Sequence, residues 1–420
     1  MYITAIDLGS SQIKGIVAEL KKDGSLIFLK TIKRDSAGIK RGEIIYPEET
    51  VKNLVEVLNE IKHFDKKCLK NLVFGISGTR SRFNLSRAAV SIPRPDFEIL
   101  QEDVDRVIRE SMAVNLPVGW QIVHSLPREF IIDDIEMDDP DVIGLSGKKL
   151  EANVVLISVF SSIYKNFMKV SGFIFGKKTD FEGNIIFSPL ACDRAILSRQ
   201  QKELGAVLID VGFGTTSVVV YEDGRILNAC VLPVGSGNIT NDLAIGLKCS
   251  VTTAEKIKIS MGSSFAREVS SKDKIDMSEF EEGQSSQVSK KYIAEIIEVR
   301  AREIFSLVNN QLKSLGKAGK LPSGAILTGG GAKLQGILDI ARQELRLPAQ
   351  VSFPLTDDFE VSSATVSDQI QDSEMSVAVG LALTKSDLIK KGEHMGPFGK
   401  RQSFNDSWFK KFIKALMPSD

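Results

Sequence analysis

Asp7-Leu8-Gly9-Ser10-Ser11 follows the apolar run Tyr2–Ile6 and precedes another, Ile13–Val17. The same pattern returns as Asp210-Val211-Gly212-Phe213-Gly214-Thr215-Thr216, set between Ala206–Ile209 and Ser217–Tyr221. Each copy reads as strand, tight glycine turn, strand, with hydroxyls in the turn. Glycine lets backbone N–H groups approach a phosphate, and Ser or Thr adds a donor. A carboxylate repels phosphate, so Asp7 and Asp210 are expected to act through water on a bound Mg²⁺. One such turn is common and usually binds nothing. A matched pair predicts a duplicated domain closing on a nucleotide.

A third element fits the pair. Gly324–Thr328 reads as a buried strand, followed by Gly329-Gly330-Gly331 and a helical pattern over Ala332–Leu345. Bare backbone between strand and helix admits a flat ring or a phosphate. The plain alternative is a tight strand-to-helix connection. Neither G-x-x-x-x-G-K-[ST] nor a Rossmann G-x-G-x-x-G after a strand is present, so an ATP site here belongs to neither class.

Composition excludes several classes. Lys and Arg number 54, as do Asp and Glu, so net charge gives no argument for nucleic acid. Four cysteines (Cys68, Cys192, Cys230, Cys249) lack C-x-x-C spacing and read as reduced, buried thiols. His63, His124 and His394 fit no metal motif. A strand from residue 2 leads us to expect no signal peptide, and no apolar run reaches the length of a membrane span. The bulk of the chain is expected to be cytoplasmic.

The order of elements is coarse but readable. Leu26–Lys33 continues the first meander, Glu48–His63 reads as a helix and Leu72–Ile76 as a strand. Residues 79 to about 158 carry five prolines and one good helix, Glu102–Ala113, and read as a small inserted α/β module. Val154–Phe160 restores a buried strand. Gly235-Ser236-Gly237 marks a turn before a helix at Asn238–Leu247, and Thr253–Met261 is a second helix. There Glu255 and Lys258 are neighbours on one face. That pair is either a surface salt bridge worth under ~1 kcal/mol or a grip on a ribose hydroxyl. Residues 263–288 read as variable with short strands, Lys290–Leu315 as the longest helix, and Val377–Leu383 as a further helix.

The last thirty-odd residues differ in kind. From about Lys385 the chain turns polar and glycine-rich, a flexible linker. Beyond it, at ~100° per residue, Trp408, Phe409, Phe412, Ile413 and Leu416 share one arc, and Lys410, Lys411 and Lys414 share the other. Asp406 or Ser407 can cap this helix. A helix folded back on the body is the plain alternative; the linker and the Lys sector favour an interfacial helix on anionic lipid. Partial immersion of five large apolar groups contributes ~5–8 kcal/mol and three Lys roughly 1 kcal/mol each. Ordering the backbone costs ~10 kcal/mol or more before helix hydrogen bonds offset it. One tail therefore anchors marginally, and many tails on one polymer anchor strongly.

Taken together, the paired hairpins, the glycine triplet and the repeated halves resemble the actin-like ATPase superfamily. Within it the chain resembles, over nearly its full length, the bacterial cell division FtsA family. The residues that carry this are ISGTRS (76–81), the Leu126 and Asp133 region, IGLSGKKLEANV (143–154), SPLACDRAIL (188–197), ELGAVLIDVGFGTTSVVVY (203–221), AEKIKISMG (254–262), LTGGGAKLQGI (327–337) and the tail. The resemblance implies an α/β actin-like (ribonuclease H-like, duplicated) fold, two lobes around a nucleotide cleft. Subdomain 1A would be 1–78, 159–198 and 359–386, and the inserted subdomain 1C 79–158. Subdomain 2A would be 199–242 and 306–358, and 2B 243–305. A linker at 387–405 and a membrane-targeting helix at 406–418 complete it.

For the site, the resemblance implies a first phosphate loop of Asp7, Gly9, Ser10 and Ser11 with Lys14 nearby. It implies a second of Asp210, Gly212, Gly214, Thr215 and Thr216, followed by Gly235. Glu255 and Lys258 would reach the ribose and base beside Gly329, Gly330 and Gly331, with ATP and Mg²⁺ as ligands. Implied partners are further copies of the chain, the C-terminal peptide of tubulin-like FtsZ, other divisome proteins and anionic lipids of the cytoplasmic membrane at the septum. Two positions depart from the family pattern: Phe213 interrupts a glycine run, and Gly235-Ser236-Gly237 replaces a glycine pair. Where related ATPases carry a water-positioning Gln or Glu, this chain has Ser188-Pro189, and serine is no base at neutral pH. ATP is then expected to be a conformational ligand, hydrolysed slowly if at all. The alternatives are a pilus-assembly scaffold of the PilM type, which has no such tail, and a metabolite kinase, which needs a catalytic Asp facing a sugar hydroxyl.

Overall fold

The computed structural model describes residues 1–137, 142–176, 184–281 and 286–391. The expected tail helix at 406–418, and the linker beyond residue 391, lie outside the described residues. The chain divides into two compact units, 1–79 with 188–384, and 80–187 with 385 onward.

Within the first unit, two sheets share one plan. Tyr2–Leu8, Gln12–Leu20 and Leu26–Asp35 form an antiparallel meander, and Leu72–Ile76 runs parallel to its first strand. Ala206–Val211, Thr216–Glu222 and Arg225–Leu232 repeat that meander, with Ala325–Thr328 parallel to its first strand. The central strands are apolar and buried, as a sheet covered on both faces requires. Every residue of Leu72–Ile76 and of Ala325–Thr328 is buried, while the outer strands Leu26–Asp35 and Arg225–Leu232 carry polar and charged residues. The helix Lys290–Ser314 lays Ala301, Ile304, Phe305, Val308 and Leu312 on Val207, Ile209 and Leu327 of the second sheet. A satellite core gathers Ile239, Leu243, Ile257, Ile293 and Ile297 around helices Ser236–Leu247 and Val251–Met261.

The second unit holds a four-stranded antiparallel sheet in the order Ser81–Ser91, Lys149–Phe160, Trp120–Ile132, Ile135–Glu136. Helix Gln101–Ser111 covers it, packing Val104 and Val107 with Val90, Leu150 and Val154. Residues 159–187 cluster here and not with the N-terminal segment. The long strand passes straight into helix Ser161–Phe175, and Ser161 N–H donates to Gly119 O at 2.7 Å.

Several boundaries differ from the sequence reading. The glycine triplet itself runs into a short 3₁₀ turn, Gly330–Lys333, and the α-helix starts only at Ile337, because Gly336 takes φ +78°. Ser236 and Gly237 form the first helical turn and not a loop. The helix expected at Val377–Leu383 runs Ser376–Lys391, past the point where the linker was placed. Cys68 and Cys192 are buried, whereas Cys230 and Cys249 are only half-buried; all four are free thiols.

His124 gives the second unit a pH signature. It is fully enclosed, its Nε2 accepts from Phe187 N–H at 2.9 Å, and burial lowers its pKa to about 4. A histidine depressed by folding binds its proton more readily when unfolded. Stability should therefore fall as pH drops below 6.5, by up to ~1.4 kcal/mol per unit, until about pH 4. Urea melts across that range should show the decline, and His124→Gln should flatten it.

Candidate functional site

Both glycine turns open into one cleft of about 790 Å³ in the first unit, within the range of small-molecule sites. The first turn has no room for a side chain: a Cβ on Gly9 would stand 2.6 Å from Gln12 O. The second is closed by Gly212 N–H to Thr215 O at 2.9 Å. The turns touch each other, since a Cβ on Gly214 would meet Ser10 Oγ at 2.8 Å. Ser10 Oγ also accepts from Gly42 N–H at 2.9 Å, which ties the 38–42 loop to the first turn.

Strand register sets the charges at the floor. Asp7 lies opposite Lys14, whose Nζ stands 3.8 Å from its carboxylate. In the second hairpin Asp210 lies opposite Ser217, so that half brings no cation of its own. Burial raises the pKa of Asp210 to about 6, with Lys14 opposing and Asp7 adding to the rise. Asp7 is raised by burial, again against Lys14. Two carboxylates against one ammonium leave one negative charge uncompensated. Oxygen donors with surplus negative charge fit a hard divalent cation. Among the described residues no group of three or more His, Cys, Asp or Glu side chains is gathered as a metal site, so such an ion would keep water ligands on the protein side.

The glycine triplet forms part of the cleft wall, and close packing explains two of its members. A Cβ on Gly329 would lie 2.2 Å from Asp210 Oδ1, and one on Gly331 would lie 2.4 Å from Val211 Cγ1. Gly330 would meet only Glu374, at 3.4 Å. The loop is stitched to a turn that the sequence did not reveal. Gly329 N–H donates to Ser373 O at 3.2 Å, and Ser373 Oγ donates to Gly329 O at 3.0 Å. Lys333 and Lys33 both pair with Asp372 and Glu374, at 2.7 to 3.3 Å. Nothing about Asp372-Ser373-Glu374 sets it apart in sequence.

Glu255 and Lys258 are not a surface pair. Lys258 is 7% exposed, and its Nζ lies 2.8 Å from Glu255 Oε2. It also donates to Thr240 Oγ1 at 2.9 Å and Ser236 O at 3.3 Å. Burial lowers its pKa, opposed by Glu255. Every residue expected at the nucleotide site lines the cleft except Thr216 and Gly235. Thr216 is turned into the core, where its Oγ1 donates to Val234 O at 2.8 Å. Gly235 sits behind the second turn, where a Cβ would press on Phe213 O at 2.6 Å. Ser188, the first residue of helix Ser188–Ile196, does reach the cleft.

A family model for cell division protein FtsA matches residues 207–380, and one for the SHS2 domain inserted in FtsA matches 78–158. Cell division protein FtsA of Bacillus subtilis is 31% identical over 355 residues, covering 84% of this chain and 79% of that protein. The chain belongs to the FtsA family. The FtsA of Neisseria meningitidis is 30% identical, covering 90% of this chain and 89% of its own length. Among solved structures, a PilM–PilN type IV pilus biogenesis complex aligns at TM-score 0.61 and 15% identity, over 91% of this chain and 98% of that one. MreB5 of Spiroplasma citri bound to ADP aligns at 0.52 and 15%, over 93% and 99%. The fold is actin-like, as the two repeated sheets indicate, and in this FtsA-family chain the matched SHS2 region coincides with the four-stranded module.

Proposed function

We propose that this FtsA-family protein binds ATP with Mg²⁺ in the cleft, polymerises on the inner face of the cytoplasmic membrane and tethers FtsZ filaments to it at the division septum. The observation that carries the nucleotide reading is the pair of glycine turns meeting over a floor with one uncompensated negative charge. In this reading the Gly9–Ser11 and Gly212–Thr215 turns offer backbone N–H groups and hydroxyls to phosphate oxygens. Asp7 and Asp210 would hold the cation through its water ligands, and the cation, when bound, would supply neutralisation of phosphate charge. Lys14 holds Asp7. Ser188 contributes a hydroxyl and no base, so the nucleotide serves to hold the two sheets together and is turned over slowly.

Membrane attachment falls to Trp408, Phe409, Phe412, Ile413 and Leu416 on one side of the tail helix and Lys410, Lys411 and Lys414 on the other. FtsZ, through its C-terminal peptide, is assigned to residues 243–305 and protomer contacts to 79–158. Among the described residues no helix is long and apolar enough to cross a membrane. Co-sedimentation with vesicles rich in phosphatidylglycerol tests the tether. The full chain should pellet, and a chain ending at residue 400 should stay in solution. If both behave alike, the tether reading loses its support.

A further inference from the structure

The two departures from the family pattern, Phe213 and the Gly235-Ser236-Gly237 triplet, meet in space. A Cβ on Gly237 would lie 2.8 Å from Phe213 Cε1 and 2.9 Å from Cζ. The ring therefore occupies the place that a side chain at 237 would need. Backbone joins them as well: Ser236 N–H donates to Gly212 O and Gly237 N–H to Phe213 O, both at 2.8 Å. The second phosphate turn is thereby locked onto the first turn of helix Ser236–Leu247.

The ring has another neighbour. Lys258 Nζ stands 5.6 Å from its centroid, within the reach of a cation–π contact. All three donors of that ammonium are committed, to Glu255, Thr240 and Ser236, so Lys258 has none left for a ligand. Glu255 is different. Its side chain is 32% exposed, it lines the cleft, and Lys258 and Thr240 both hold its Oε2. What this arrangement offers a ligand is one fixed carboxylate, an acceptor for hydroxyl groups.

We infer that Phe213 is a positioning residue for Glu255. Its ring, seated on the bare backbone of Gly237, fixes Lys258, which fixes the carboxylate that accepts from the ribose hydroxyls of a nucleotide. This rests on the nucleotide reading above and adds to it a determinant of sugar recognition that couples the phosphate turn to the nucleoside end of the cleft. Phe213 and Gly237 form a matched pair: the large residue at one position requires the absent side chain at the other.

Binding of ATP and of 2′,3′-dideoxy-ATP to the full chain with Mg²⁺, followed by calorimetry, tests this. The unmodified protein should prefer ATP. Phe213→Ala should weaken ATP about tenfold more than it weakens the dideoxy analogue, the loss of a hydrogen bond to a charged group. Phe213→Tyr should keep the preference. Gly237→Ala should act like Phe213→Ala in the native background and add nothing to it in the double variant, which also serves if Gly237→Ala alone folds poorly. Equal weakening of both nucleotides by Phe213→Ala, or additive effects in the double variant, overturns the inference. An unmodified chain that binds neither nucleotide would sink the site reading and this inference with it.

Discussion

Replacing Asp210 with Asn should make the nucleotide-free protein more stable and its nucleotide complex weaker. Asp210 is raised to about 6, chiefly by burial, so the folded state carries a penalty whenever this carboxyl is ionised. That penalty is fully present above pH 6 and disappears below the ordinary carboxylate value of 3.8. At pH 7.5 the Asn variant removes it, a gain of ~1–3 kcal/mol. At pH 4 the two proteins should melt alike. The same carboxylate is the one without an ammonium opposite, so its loss removes the surplus negative charge that favours a cation. Affinity for ATP in the presence of Mg²⁺ should fall at least tenfold, and the difference between Mg²⁺ and EDTA should shrink. Stability and binding would then move in opposite directions, as expected where a site is kept strained for use. A variant that melts lower than the native chain at pH 7.5 refutes the account of Asp210.

Gly380→Ala should be the most damaging glycine-to-alanine change among the described residues. In helix Ser376–Lys391, a Cβ on Gly380 would lie 1.7 Å from Ala191 O and 2.4 Å from its carbonyl carbon. Both atoms are backbone of helix Ser188–Ile196, so no rotamer relieves the clash and the helices must separate. Neighbours on both sides are fully buried, including Ala191, Cys192, Ala378 and Leu381. Overpacking of this kind costs ~3 kcal/mol or more, a fall in melting temperature of roughly 5 °C or more for a unit of this size. The effect should reach the cleft, because the helix that must move begins at Ser188 on its wall. An unchanged melting temperature would mean the two helices have slack that their contact does not show.

The hairpins were legible because two levels of pattern agreed. Apolar β-branched runs announced the strands, and glycine with hydroxyls announced the turns, so Leu72–Ile76 and the glycine turns of both hairpins fell where expected, whereas Arg225–Leu232, the last strand of the second meander, was not foreseen. The inserted sheet was legible only in Val154–Phe160, the second half of its long strand Lys149–Phe160. Ser81–Ser91 is an edge strand with polar, exposed positions along most of its length, and Pro127 argued against a strand in Trp120–Ile132. The structure admits Pro127 because the ladder slips there: Asn153 pairs with Glu129 and Val154 with Pro127, leaving Arg128 as the extra residue of a bulge. In the site, the residues whose type suggested phosphate contact mostly line the cleft. Asp372-Ser373-Glu374 was missed because its role comes only from being folded against Gly329 and Lys333. Thr216 was misjudged for the converse reason, since strand alternation sends a hydroxyl inward whatever its chemistry.

The two hairpins share one register but not the residue opposite the aspartate, and that has a directional consequence. One duplicated design sets an ammonium beside its aspartate, and the other, at the matching position, sets a hydroxyl. A pocket built from two equivalent halves would have accepted a guest either way round. With lysine on one side only, the floor has an electrical gradient across it, and the glycine triplet and Glu255 add further landmarks that are not repeated. The ancestral symmetry survives in the backbone and has been lost in the charges, so a long, asymmetric guest has one favoured way to lie.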